Sequence, residues 1–154
     1  MQCRECRSEM ELTQLPAFVG SEKNIVVTFT DLPCYVCPNQ CDGKNYADPE
    51  FGSQLINILF FIGKVPVTRT KGGLFRKKQR CYHCTALIED AARRPGKVSG
   101  TIEIPKLPAF SITIEAPEVI CRSCGTSQIY ADDQVSFLIN EAIVNAFKTI
   151  DLRP

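Results

Sequence analysis

Apolar positions recur at helical spacing most regularly near the end of the chain, at Val135, Leu138, Ile139, Ala142, Ile143, Ala146, Phe147 and Ile150. This i, i+3, i+4, i+7 run predicts an amphipathic helix with Asp132 as its N-cap. Strand patterns fill much of the rest. Met10 to Phe18 and Asn24 to Thr30 read as strands, the second through the β-branched run Ile25-Val26-Val27-Thr28-Phe29. Val98 to Ile104 and Phe110 to Glu115 read likewise, because Ile102 and Ile104, then Ile112 and Ile114, alternate with polar neighbours. Pro16, Pro105 and Pro108 mark strand ends or edges. A second helix is expected from about Pro49 to Ile62, with Asp48 as N-cap before a first-turn proline. Its later part, Ile58-Leu59-Phe60-Phe61-Ile62, is apolar on every side, so it should be covered by the other half of the chain or by a second chain. A buried strand fits the same short run, since periodicity does not separate the two.

The two halves carry the same words in the same order. Leu15-Pro16-Ala17-Phe18 matches Leu107-Pro108-Ala109-Phe110, Tyr46-Ala47-Asp48 matches Tyr130-Ala131-Asp132, and Leu55-Ile56-Asn57 matches Leu138-Ile139-Asn140. Duplication is the economical account. The fold expected is a small α+β, zinc-ribbon-like one with two tandem repeats, each a short antiparallel sheet with a four-cysteine site followed by an amphipathic helix. Residues 1–66 form the first repeat, 67–80 a basic linker and 81–154 the second repeat.

Cysteine spacing supplies the chemistry. Cys3/Cys6, Cys34/Cys37, Cys81/Cys84 and Cys121/Cys124 are four C-x-x-C pairs, using eight of the nine cysteines. Each pair can close on one metal ion from a single tight turn, and two tetrahedral four-thiolate zinc sites follow, so two Zn²⁺ ions are expected per chain. Two repeats with two pairs each favour Cys3, Cys6, Cys34 and Cys37 for one ion and Cys81, Cys84, Cys121 and Cys124 for the other, over a cross-braced arrangement. A disulfide framework would need an oxidising compartment that nothing in the chain announces. The residue after a knuckle's second cysteine favours glycine, which only Gly125 supplies; Pro38 follows Cys37 and cannot adopt positive φ. The second knuckle of the first site must therefore be built differently. Cys41, four residues on, is a spare thiol in a loop insertion or a substitute for a neighbouring ligand. His83, the sole histidine, lies inside Cys81-Tyr82-His83-Cys84 and could ligate only by displacing an adjacent thiolate.

Composition narrows the function classes. With 154 residues and 44% apolar residues, each half has a modest core, and metal should contribute to folding. Formal net charge is +1. Lys64 to Arg80 nevertheless holds seven basic residues and no acid, so the remainder is net −6. Arg69, Lys71, Arg76, Lys77, Lys78 and Arg80 are the candidate nucleic-acid contacts; with Gly72-Gly73 among them, a mobile linker or a solvated hairpin tip is the plainer account, since charge runs are usually solvated surface. The chain shows no signal segment before its first cysteine pair and no apolar run of membrane-spanning length. A reducing, cytoplasmic setting without a membrane partner is expected. Closed four-thiolate sites leave no position for a catalytic water, and no phosphate loop or Ser/His/Asp combination is visible, so no enzyme and no catalytic residue is expected.

The order C-x-x-C, two strands, C-x-x-C-G and amphipathic helix, clearest from Gly96 to Phe147 with Val119-Ile120-Cys121-Arg122-Ser123-Cys124-Gly125, resembles the YgiT-type (MqsA N-terminal-type) zinc-binding domain. The resemblance implies structural zinc and a protein-binding surface of the antitoxin kind. Its DNA-reading helix-turn-helix has no counterpart here. The Leu-Pro-Ala-Phe segments between cysteine pairs also resemble the duplicated ZPR-type zinc fingers. The function expected is thus a non-catalytic, two-zinc, protein-protein interaction module, antitoxin-like or regulatory, whose partner is another protein or a second copy of itself. The alternative is nucleic-acid binding through residues 69–80.

Overall fold

The computed structural model of the chain describes residues 1–41, 43–47, 65–72, 78–88, 92–150 and 152–153. The expected helix from Pro49 to Ile62, with its apolar run at 58–62, lies outside the described residues. Eleven strands and one helix are described, giving a small α+β fold with largely antiparallel sheets.

The first sheet runs β1 (Glu11–Leu15), β4 (Leu32–Val36), β5 (Asn45–Tyr46) and β11 (Leu152–Arg153), with only the last pairing parallel. The second is ordered β10 (Ser127–Ile129), β9 (Phe110–Ile120), β3 (Ile25–Thr30) and β2 (Phe18–Glu22), with β8 (Arg94–Ile102) also paired to β9. A separate ribbon joins β6 (Arg69–Lys71) to β7 (Lys78–Arg80). The segment expected as a basic linker therefore contains a strand pair.

Sequence patterning accounts for β3 directly. Ile25, Val27 and Phe29 are fully buried while Val26, Thr28 and Thr30 between them are half-buried, as a pleat with one core face requires. β9 repeats this with Phe110, Ile112, Ile114 and Ala116. The two strands pair with each other, Val27 opposite Ile114 and Phe29 opposite Ile112, so one sheet draws on both halves of the chain. The expected strand Met10 to Phe18 is interrupted at Pro16-Ala17, with β1 ending at Leu15 and β2 starting at Phe18.

Helix α1 (Asp133–Lys148) covers this sheet. Asp132 caps it by accepting a 2.9 Å bond from the Val135 N–H. Val135, Leu138, Ile139, Ala142, Ile143 and Ala146 form its buried face. Phe147 completes an aromatic cluster, its ring centroid 5.6 Å from Phe18 and 5.2 Å from Phe29, while Phe18 and Phe29 stack at 5.1 Å. Asn145 Nδ2 donates to the Ser21 carbonyl at 3.0 Å and fixes the helix along β2. Close approach of α1 to β2 depends on small residues: a Cβ on Gly20 would collide with the Ala142 carbonyl oxygen and the Ala146 backbone nitrogen. Backbone atoms cannot give way as a flexible side chain can.

Gly20→Ala is therefore expected to destabilise the fold by about 1–3 kcal/mol, the usual cost of overpacking, read as a lower midpoint in chemical denaturation. An unchanged midpoint would mean that α1 does not lie against β2 as described.

Candidate metal centres

Four turns present the cysteines, and three share one geometry. The amide of Arg7 donates to the Cys3 carbonyl at 3.0 Å, that of Thr85 to Cys81 at 3.1 Å, and that of Gly125 to Cys121 at 2.8 Å. Arg7, Thr85 and Gly125 have φ of 60°, 62° and 75°. The left-handed residue expected only at Gly125 is thus present in all three, two of them without glycine. For Thr85, a β-branched residue, that conformation is strained. Each turn is closed by a further bond, from Cys3 N to Ser8 O, Cys81 N to Ala86 O and Cys121 N to Thr126 O, at 2.8 to 2.9 Å.

The fourth turn departs from the expected one. Cys34 lies inside β4, paired with Thr13, fully buried and part of the main apolar core. Extended backbone cannot wrap a C-x-x-C turn around an ion, so Cys34 does not join Cys37. Its Sγ lies 3.8 Å from Asn45 Oδ1, and burial pushes its thiol pKa up. The turn is instead Cys37-Pro38-Asn39-Gln40-Cys41: Gln40 takes φ 49°, and its amide donates to the Cys37 carbonyl at 2.9 Å. Pro38 needs neither positive φ nor an N–H in this longer turn.

Two groups of four thiols result: Cys3, Cys6, Cys37 and Cys41, and Cys81, Cys84, Cys121 and Cys124. Within each, all sulfurs lie within 4.8 Å of one another. Cys6 Sγ is 3.5 Å from Cys37 Sγ, Cys37 Sγ 3.7 Å from Cys41 Sγ, and Cys81–Cys124 and Cys84–Cys121 are each 3.6 Å apart. An ion bound tetrahedrally by sulfurs at about 2.3 Å sets the edges of the tetrahedron at about 3.8 Å. Both groups fit that figure and could each hold a metal ion. The first replaces the expected Cys34 by Cys41; the second joins the four cysteines expected. His83 belongs to neither, and its backbone N–H, not its ring, approaches Cys81 Sγ, at 3.4 Å.

Each group has two buried and two exposed thiols: Cys3 and Cys37 against Cys6 and Cys41, and Cys81 and Cys121 against Cys84 and Cys124. Met10, Tyr35 and Tyr46 pack around the first group; Ile88, Val119, Ala86 and Tyr130 pack around the second. The thiols perturb one another. Hydrogen bonds from Ser8 and Asn39 bring Cys6 down to about 5, whereas proton sharing with Cys6 and Cys37 pushes Cys41 up to about 12. Burial opposes ionisation of Cys81, but the Cys84 N–H, the Gln128 amide and the His83 N–H outweigh it and lower the pKa to about 6. Thiols this close ionise together only around a cation.

Two polar side chains beside the sulfurs carry no signal in the cysteine spacing. Gln128 is fully buried; its Nε2 donates to Cys81 Sγ at 3.3 Å, and its Oε1 accepts from the Tyr82 N–H at 2.7 Å. At the first group Asn39 Nδ2 lies 3.4 Å from Cys6 Sγ and 3.0 Å from Ser8 Oγ. Both amides donate to a sulfur and so favour the thiolate. Alternation along β10 sets Gln128 on the face opposite Ile129, away from the main core, so a buried glutamine is recognised only once Cys81 stands opposite it.

The basic residues are not among the grouped cysteine ligands. Arg69, Lys71, Lys78 and Arg80 lie on the β6–β7 ribbon, whereas Arg76 and Lys77 lie outside the described residues. Comparison of the chain with family models, with curated proteins and with solved structures gives no match.

Two measurements check the ligand sets. Cys41→Ser is expected to lower the metal content to one ion per chain, and Cys34→Ala to leave two, by native mass spectrometry; the reverse result would restore Cys34 as the ligand. Gln128→Leu is expected to weaken the second site about 10- to 100-fold, the usual effect of losing an outer hydrogen-bond partner, in competition with a chromophoric chelator. Unchanged competition would remove Gln128 from the site.

Proposed function

We propose that the chain is a non-catalytic protein with two structural Zn²⁺ ions that serves as a protein-protein interaction module. Zinc is favoured over other ions because four thiolates in tetrahedral array suit a soft ion without redox demands. All four positions are then filled by protein, leaving none for a reacting water. The ions act as staples, joining residues 3–6 to 37–41 and residues 81–84 to 121–124, and thiolate sites of this kind persist in a reducing, cytoplasmic setting.

Tandem duplication is part of the proposal. The strand orders β1-β4-β5 and β8-β9-β10 are alike. The turns at Cys3 and Cys81 share even their flanking bonds, Met10 N to Met1 O matching Ile88 N to Gln79 O, and the Gln2–Glu9 bridge matching Arg80–Leu87.

The observation that carries the interaction reading is the outer face of α1. Phe137 is 61% and Val144 46% exposed. They stand two turns apart on one face of a helix whose opposite face is packed. The resemblance to YgiT-type domains, whose zinc units can bind protein, points the same way. We assign the contact to a second copy of the chain.

Phe137→Glu is expected to convert a sedimenting dimer to monomer with two ions per chain retained. A wild-type protein monomeric at all concentrations, or a variant that assembles normally, would contradict this face as the interface.

A further inference from the structure

The β6–β7 ribbon carries like charges at opposed positions. Its register sets Arg69 opposite Arg80 and Lys71 opposite Lys78, so both outer pairs are cation against cation. Like charges directly opposed across an antiparallel pair are destabilising. The other face explains how the ribbon holds regardless. Thr70 and Gln79 are opposed there, Gln79 Nε2 donating to Thr70 Oγ1 at 2.8 Å, and Thr68 Oγ1 donating to Gln79 Oε1 at 2.8 Å. Thr68 Oγ1 in turn accepts from the Ala131 N–H at 2.9 Å, and the Thr68 N–H bonds to Ile129 O at 2.9 Å. Gln79 is buried, and Arg80 leads directly into Cys81. A buried polar network and a cysteine turn thus fix one face of the ribbon and turn four cations outward.

Two of those cations are directed toward the turn. The Arg69 guanidinium lies 5.6 Å from the centre of the Tyr82 ring, and Arg80 Nη1 donates to the Thr85 carbonyl at 3.0 Å. Neither these two nor Lys71 has a carboxylate partner among the described residues. Successive cations on one strand are two residues, or ~6.8 Å, apart, a spacing of the order of successive phosphates along a nucleic-acid strand.

We propose that the outer face of this ribbon binds the phosphate backbone of single-stranded nucleic acid, with the Arg69–Tyr82 pair as a stacking platform for a base. Cations that track a backbone beside an aromatic ring are the usual elements of single-strand recognition. A bound polyanion relieves the repulsion between Arg69 and Arg80. The site is independent of the α1 contact and uses no metal ligand.

The test is fluorescence anisotropy with labelled, mixed-sequence RNA and DNA of about 15 nucleotides, single-stranded and duplex, at about 50 and 200 mM salt. Three phosphate contacts, from Arg69, Lys71 and Arg80, predict a roughly 20-fold fall in single-strand affinity between these concentrations. Lys71→Glu combined with Arg69→Gln should weaken binding at least about 10-fold and cut the salt slope to about a third. Lys23→Gln, in the β2–β3 turn, should do neither. Native mass spectrometry showing two ions per chain in every variant keeps a folding defect apart from a lost contact. No binding at the lower salt, tighter binding of duplex, equal binding of polyglutamate or anionic vesicles, or equal loss in Lys23→Gln would each overturn the assignment.

Discussion

Mutual repulsion of neighbouring thiolates is the constraint on which the rest of the structure depends. Four sulfurs within 4.8 Å cannot carry four negative charges unless a cation stands among them. Cys41, pushed up to about 12 by proton sharing with Cys6 and Cys37 and by their charge, shows that conflict. A divalent ion removes it and binds more tightly as pH rises, because protons compete for the same sulfurs. Structural zinc in small domains contributes an apparent ~10–16 kcal/mol, as much as or more than the net stability of most domains. A bound ion would offset the left-handed conformation of Arg7 and Thr85, which costs about 1–2 kcal/mol each.

From that anchoring the architecture follows. One group closes the sheet β1-β4-β5-β11 at its Cys37 end, and the other closes the β8-β9-β10 end of the second sheet. Between them β3 and β9 pair and share α1 as their cover. Packing and ligation have separate tasks: Phe18, Phe29 and Phe147 fill the shared core, while the cysteines fix where the strands begin and end.

Much of this was legible in the chain. The α1 periodicity, its Asp132 cap and the alternation in β3 and β9 are local properties, and the four cysteines of the second group follow from spacing. Cys34 was misleading because a C-x-x-C spacing is necessary for such a turn but not sufficient. Leu32-Pro33-Cys34-Tyr35-Val36 shows no alternation of apolar and polar positions to mark it as β4, yet the strand's pairing with β1 decides where Cys34 points. Pro38 held the correct hint. Pairing of β3 with β9 spans more than eighty residues and leaves no local trace, so the sharing of one sheet by both halves could not be read. Gln128 and Asn39 acquire their roles only through partners distant in sequence.

The central claim is that two closed, all-sulfur centres hold this fold. X-ray absorption at the metal edge of the purified holoprotein tests it most directly. The account predicts a first shell of four sulfurs per ion at about 2.3 Å, with no nitrogen or oxygen. A light-atom contribution in that shell, or an average nearer three sulfurs, would contradict it.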